Sequence, residues 1–279
     1  MKDLRQQVEE STTTIKKFSD DLFINKMPEP KQTAICEIHG QCEFRYTDSV
    51  IGGKYMQSSS CVKCISDRNV FIEAEIKRIT YDKKEESLKT QILNRGVSKR
   101  NVSKTFESFH IETPAQHKAK ELHEAFTNSV CNGKVSNNLI VCGSVGTGKT
   151  HLASAAINKM TRANKSCEII KIIDLIREFK ASWSKDNPNT EASLLDYYTN
   201  LDALIIDEVG VQFGSDTEKM IIFDIIDGRY NNILPTVLTS NLTYSEVKEL
   251  IGERAIDRLR EDGGAVVAMK WDSHRGKQS

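Results

Sequence analysis

The sequence predicts an α/β protein: a parallel sheet buried on both faces and wrapped by helices, preceded by a small helical and Cys/His-rich region. Three observations carry that prediction. From about residue 105 onward, short β-branched runs alternate with helical patterns, as they do where crossover helices cover both faces of a sheet. One run leads into the glycine-rich stretch GSVGTGKT, residues 143–150, and then directly into a helix. Ahead of these, residues 36–64 carry soft metal ligands at close spacing and few apolar side chains.

The chain has 279 residues, 28% of them charged and 38% hydrophobic, with a net charge of +0. That length suits one large domain or two ordinary ones. Zero net charge means that any nucleic-acid or membrane contact needs a local patch, since there is no global field. No window approaches the roughly 18–20 apolar residues of a membrane span. The first residues also lack the apolar core of a secretory signal. A membrane is therefore not expected as a partner, and the expected location is cytoplasmic. In that reducing setting an odd count of seven cysteines favours metal binding over disulfides.

Residues 1–26 place Leu4, Val8, Ile15, Phe18 and Leu22 at spacings of three, four and seven, the stripe of an amphipathic helix. MPEPK at 27–31 ends it. The segment 36–64 shows little periodicity and holds a turn signal, GG, at 52–53. Residues 65–93 read as a long charged helix with solvated faces. RGVSKRNVSK then carries Arg95, Lys99, Arg100 and Lys104 without an acid, which reads as a basic linker over 95–104. The expected organisation is an N-terminal region 1–94, this linker, and a main domain 105–279. Within the main domain the expected strands are NLIVCG, CEIIKII, ALIIDE, TVLTSN and AVVAMK. The expected helices are THLASAAINKMTRAN, DLIREFKASW, SLLDYYTN and TEKMIIFDIIDGRYNN.

GSVGTGKT fits the G-x-x-x-x-G-K-[ST] pattern, and its context of strand, loop and helix is the one that pattern requires. Gly143, Gly146 and Gly148 let the backbone curl, so that N–H groups along Gly143, Ser144, Val145, Gly146, Thr147, Gly148, Lys149 and Thr150 converge on phosphate oxygens. The helix N-terminus adds a favourable dipole. Lys149 reaches the β- and γ-phosphates, and the Thr150 hydroxyl is a Mg²⁺ ligand. ALIIDE, residues 203–208, ends a buried strand in two carboxylates. Asp207 is placed to hold Mg²⁺, and Glu208 to polarise a water for attack on the γ-phosphate. That pair favours nucleotide hydrolysis over phosphate transfer to a small metabolite. Asn241 ends TVLTSN. It either contacts the γ-phosphate or caps the helix LTYSEVKEL. GERAIDRLRE, residues 252–261, sets Arg254 and Arg258 on one helix face at i, i+4 and also carries Arg260. Such an arginine can reach a neighbouring subunit's γ-phosphate. Arg275 follows the last strand.

Taken together, GTGKTHLA, ALIIDEVGVQ, LTSN, LIGERAIDRLR and WDSHRG are similar to the bacterial replicative-helicase loaders of the DnaC type, which are AAA+ ATPases. TFESF, 105–109, resembles the element that opens the ATPase domain in that family. The resemblance covers residues from about 95 to 279. It implies a five-stranded parallel sheet, ATP with Mg²⁺, a Walker A loop at Gly143–Thr150 and a Walker B pair at Asp207 and Glu208. It further implies a sensor-1 role for Asn241, an arginine finger at Arg258 with Arg254 close by, and sensor 2 at Arg275. His274 departs from the pattern, which has a tyrosine there. The sequence stops soon after the fifth strand, so a C-terminal helical lid is not expected. The implied partners are a hexameric replicative helicase, single-stranded DNA, and further copies of the chain in the ATP state.

The N-terminal part resembles prophage and plasmid variants of these loaders, which carry C-x-x-H-G followed by C-x-x-C. Here the ligands are Cys36, His39, Cys61 and Cys64, two knuckle pairs suited to one tetrahedral Zn²⁺. Cys42 is a fifth candidate that can replace Cys36 or His39. A redox pair is disfavoured, because CVKC does not open a βαβ unit. Metal would hold together a segment with so little to bury, and its place ahead of the motor implies helicase docking. Two other functions compete with the loader. One is an IstB-type ATPase that regulates a transposase on duplex DNA. The other is a zinc-dependent DNA-binding regulator with a degenerate ATPase, against which the intact Lys149, Thr150, Asp207 and Glu208 argue.

Overall fold

The computed structural model describes residues 32–51, 54–135, 137–184, 186–210 and 215–273. The helix expected over 1–26, the GG turn at 52–53, and His274 and Arg275 lie outside the described residues. The chain divides into two compact units, 1–86 and 87–279.

In the first unit, β1 (Gln32–Cys36), β2 (Gly40–Ile51) and β3 (Lys54–Cys61) form an antiparallel sheet in that order. These strands lie in a stretch whose sequence shows little periodicity. GQCEFRYTDSVI and KYMQSSSC alternate weakly, so the backbone ladder and the tight turn at 37–39 organise the sheet more than any apolar stripe does. Gly40, paired with Cys36, takes φ +65° to close that turn. Helix α1 (Val62–Asn94) follows β3 directly and begins three residues before the expected start. Cys64 therefore falls in its first turn. The division between the units lies within this helix.

The second unit is built on a five-stranded parallel sheet of order β5-β6-β7-β4-β8. The strands are β4 (Leu139–Gly143), β5 (Cys167–Lys171), β6 (Ala203–Val209), β7 (Thr236–Ser240) and β8 (Ala265–Met269). The helices are α2 (Pro114–Cys131), α3 (Lys149–Arg162), α4 (Ile172–Ala181), α5 (Glu191–Asn200), α6 (Asp216–Asn231), α7 (Tyr244–Ile251) and α8 (Glu253–Arg260). All five expected strands form. CEIIKII splits, however: the strand ends at Lys171, and Ile172 opens α4. Among the described residues no helix follows β8, and no helix is long and apolar enough to cross a membrane.

Strand side chains alternate between two cores. Ile140, Cys142, Leu204, Ile206 and Leu238 pack with α4 to α8. Leu139, Val141, Ala203, Ile205 and Val237 pack with α2 and α3. Burial on both faces explains why the strands read as unbroken apolar runs. Each fully buried Leu or Ile contributes about 1.5–3 kcal/mol. The second core also takes in Ile92, Val97, Phe106 and Phe109. Residues 95–104, read above as a linker, thus lie against the sheet: Ile169 N donates to Arg95 O at 2.9 Å, and Asn158 Nδ2 donates to Val102 O at 3.1 Å and Lys104 O at 3.3 Å.

Candidate functional site

The phosphate loop follows β4, and the paired carboxylates end β6. β7 lies between those strands, so its C-terminal end is set between loop and carboxylates. This is the crevice beyond the strand ends where open α/β sheets bind ligands. A cavity of about 670 Å³ occupies it, lined by Gly146, Gly148, Lys149, Thr150, Asp207, Glu208, Thr239 and Asn241 and, from the segment ahead of the motor core, by Arg100, Asn101 and Lys104.

Lys149 Nζ donates to Gly143 O and Ser144 O, each at 2.7 Å. Its ammonium therefore lies over the loop, where a β- or γ-phosphate would meet it. Thr150 Oγ1 donates to Asp207 Oδ2 at 3.2 Å, which brings a hydroxyl and a carboxylate to one point. Hard oxygens of this kind suit Mg²⁺. The other Asp207 oxygen accepts from Thr239 Oγ1 and from Glu208 N at 3.0 Å, so the carboxylate is held at both oxygens. Gly148 has φ +98°, and a Cβ there would come within 2.6 Å of Phe109 Cε2, so neither the backbone nor TFESF tolerates a side chain. Phe109 in turn packs edge-on to His151 at 5.4 Å, and His151 Nε2 hydrogen-bonds Thr105 O at 3.0 Å.

Glu208 sits in the left-handed region at φ +58°, rare for a residue with a Cβ. Its carboxylate pairs with Lys171 Nζ at 2.9 Å. Glu208 also raises the pKa of Lys171, chiefly through that hydrogen bond. Asn241 does not cap the following helix. Thr243 does, in a capping box with Glu246, which leaves Asn241 on the cavity wall. Arg258 Nε donates to Asp227 Oδ1 at 2.9 Å, and its guanidinium lies over Tyr230 at 4.4 Å; that of Arg254 lies over Phe223 at 4.7 Å. Neither arginine lines this chain's own cavity.

In the first unit, Cys36 ends β1, His39 lies in the following turn, Cys61 ends β3, and Cys64 is in α1. Their ligand atoms all lie within 4.8 Å of one another. Cys36 Sγ is 3.6 Å from Cys64 Sγ. His39 Nδ1 is 3.7 Å from Cys36 Sγ, 3.7 Å from Cys61 Sγ and 3.3 Å from Cys64 Sγ. A zinc tetrahedron has S···S edges of about 3.8 Å and S···N edges of about 3.5 Å, so the donor set fits that ion. Cys42 stands outside this group of four, with its Sγ 3.1 Å from Cys61 Sγ, shorter than such an edge. The hydrogen bond to Cys61 pushes the Cys42 thiol up to about 11.

Sequence reasoning missed several partners. Asp67 Oδ2 lies 2.9 Å from His39 Nε2 and so directs Nδ1 toward the cysteines. Its signal was the i, i+3 spacing from Cys64. Thr239 was visible as a polar residue inside a buried strand. Lys171 had no local signal, because only the strand order makes it the register partner of Asp207.

The sheet order, the phosphate loop and the carboxylate pair define a P-loop protein of the AAA+ class. The description "IstB-like ATP binding protein" matches residues 66–279, and the chain belongs to that family of ATP-binding proteins. It is 36% identical over 197 residues to the replicative helicase loader DnaC of Buchnera aphidicola subsp. Baizongia pistaciae, covering 70% of this chain and 79% of that one. With the loader DnaC of Escherichia coli K12 the identity is 33% over 186 residues, covering 65% and 73%. A crystal structure of the DnaC helicase loader superposes with a TM-score of 0.53 at 23% identity, covering 61% of this chain and 99% of that one, a likeness of fold.

Proposed function

We propose that the chain is an ATP-driven loader that binds a hexameric replicative helicase and helps place it on single-stranded DNA. The observation that carries this reading is the intact phosphate loop and carboxylate pair in a chain 36% identical to a protein named as such a loader. Loop N–H groups and Lys149 hold the triphosphate. Thr150 and Asp207 hold Mg²⁺, which when bound neutralises charge on the β- and γ-phosphates. Glu208 then takes the role of polarising the attacking water, and Asn241 of orienting it. Arg258, with Arg254 close by, faces a neighbouring copy's nucleotide, so hydrolysis belongs to the assembled ATP state and resets the switch. Arg275 is kept as the sensor-2 candidate.

In this reading residues 1–94 dock the helicase and 105–279 form the motor, against which 95–104 pack. Cys36, His39, Cys61 and Cys64 hold one structural Zn²⁺, which when bound ties the first unit together and leaves no position for a substrate water. The runner-up is a transposase regulator of the IstB type, which shares the family description. The relatives named as loaders favour the first reading.

The test is turnover and loading in two variants. Lys149→Ala loses the charge facing the phosphates and should lose nucleotide binding. Glu208→Gln keeps binding but should stop turnover, since an amide does not polarise water as a carboxylate does. Wild-type hydrolysis by Glu208→Gln would remove the catalytic assignment.

A further inference from the structure

The short segment after β8 lies against the phosphate loop. Trp271 Nε1 donates to the Thr147 carbonyl at 3.0 Å. Two residues on, Ser273 presses on Gly146: a Cβ at Gly146 would come within 2.0 Å of Ser273 Oγ and 2.8 Å of Ser273 Cβ. Thr147 is fully buried, and its hydroxyl donates to Ser144 O at 2.9 Å. It does not line the nucleotide cavity, whereas its neighbours Gly146 and Gly148 do.

A trans peptide points its C=O and its N–H in opposite directions. The Thr147 carbonyl and the Gly148 N–H belong to one such peptide. With the carbonyl turned outward to the indole, the Gly148 N–H is turned to the other side, where the cavity lies. Glycine accepts either sign of φ at little cost, so nothing in Gly148 itself prevents this peptide from flipping. A flipped peptide would aim a carbonyl oxygen at a triphosphate and repel it.

We propose that Trp271 is a positioning residue for nucleotide binding. It pins the Thr147–Gly148 peptide so that the loop presents an N–H to the phosphates, and it links the segment after β8 to the occupancy of the loop. This rests on reading the cavity as the nucleotide site. The indole hydrogen bond is neutral and part-buried, so its loss should weaken triphosphate binding roughly threefold to tenfold.

The chain's two tryptophans are Trp183 and Trp271, so Trp183→Phe leaves Trp271 as its own reporter. The experiment titrates full-length Trp183→Phe and Trp271→Phe with the β,γ-imido analogue of ATP and Mg²⁺, using calorimetry for affinity and tryptophan emission for the loop. Trp271→Phe keeps an aromatic ring and removes only the N–H donor. The expected result is a saturable change in Trp271 emission, a threefold to tenfold weaker Kd in Trp271→Phe, and KM for ATP raised with kcat unchanged. Equal affinity in the two proteins overturns the proposal and leaves the nucleotide site standing. No binding by either protein overturns the site reading and the proposal with it. Should Trp271→Phe fail to fold, emission from Trp183→Phe decides: binding seen by calorimetry without any change in Trp271 emission overturns the proposal.

Discussion

Replacing Lys171 by methionine removes the cation paired with Glu208. The two side chains meet at 2.9 Å but are 52% and 48% exposed, so solvent screens them. An ion pair of that kind is worth about 0.2–1 kcal/mol. Glu208 must leave Lys171 before it can orient a water, so that is also the most the pair can add to the barrier. Converted at 1.36 kcal/mol per tenfold, the gain in turnover is roughly 1.4-fold to fivefold. Lys171→Met should therefore hydrolyse ATP modestly faster, and KM should not rise, because a positive charge has been removed from beside Asp207, the proposed Mg²⁺ ligand. The assay is steady-state phosphate release at saturating MgATP against a range of ATP concentrations. A tenfold fall in turnover together with a raised KM would instead make Lys171 a phosphate contact, which its place on the cavity wall also permits.

Asp67→Ala removes the carboxylate that orients His39 and should weaken zinc affinity about 10–100-fold while leaving the metal stoichiometry intact, as competition with a chromophoric chelator would report. Cys64→Ser should lose the metal altogether, whereas Cys42→Ser should keep it; metal analysis of the purified proteins separates the two cases. Arg229 is fully buried and donates to the carbonyls of Tyr198, Leu201 and Pro235 and to Thr236 Oγ1. Arg229→Met leaves those acceptors unmet and should cost about 3–5 kcal/mol, seen as a melting temperature lower by roughly 10 °C. His123 is buried, and burial pushes its pKa down to about 4 from an ordinary 6.5. Below pH 6.5 the unfolded chain takes up this proton and the folded one does not, so stability falls as pH drops from 6.5 to 4, by about 3 kcal/mol in all. His123→Leu should flatten denaturant midpoints across that window, and an unchanged pH slope would count against the assignment.

The phosphate loop was legible because its spacing is a backbone requirement, with glycines wherever the chain must curl. The five motor strands were legible because burial on both faces leaves unbroken apolar runs. Where such a run continued into a helix, as at Ile172, the boundary was lost, since a buried strand end and a buried helix start look alike. The sheet of β1 to β3 was missed because its strands carry little alternation. Helix α2 was also missed, although Thr113, Pro114 and Gln116 hold a capping box and an N-terminal proline. The cluster of Cys36, His39, Cys61 and Cys64 followed from spacing. Cys42 stayed a fifth candidate in the sequence, and its place beside Cys61 Sγ depends on the register of β2 against its neighbours. Lys171 ends β5 and Trp271 follows β8, and only the fold sets the first beside Glu208 and the second beside Thr147.

Loading is read most directly from helicase unwinding of a forked circle whose single strand is coated with single-stranded-DNA-binding protein. Purified replicative hexamer alone should stay off the coated strand. Adding the wild-type chain with ATP should start unwinding, adding Lys149→Ala should not, and Glu208→Gln should form a stalled complex with the hexamer. A chain that leaves the hexamer idle on coated DNA, yet binds duplex DNA and stimulates a transposase with ATP, is a transposase regulator and not a loader.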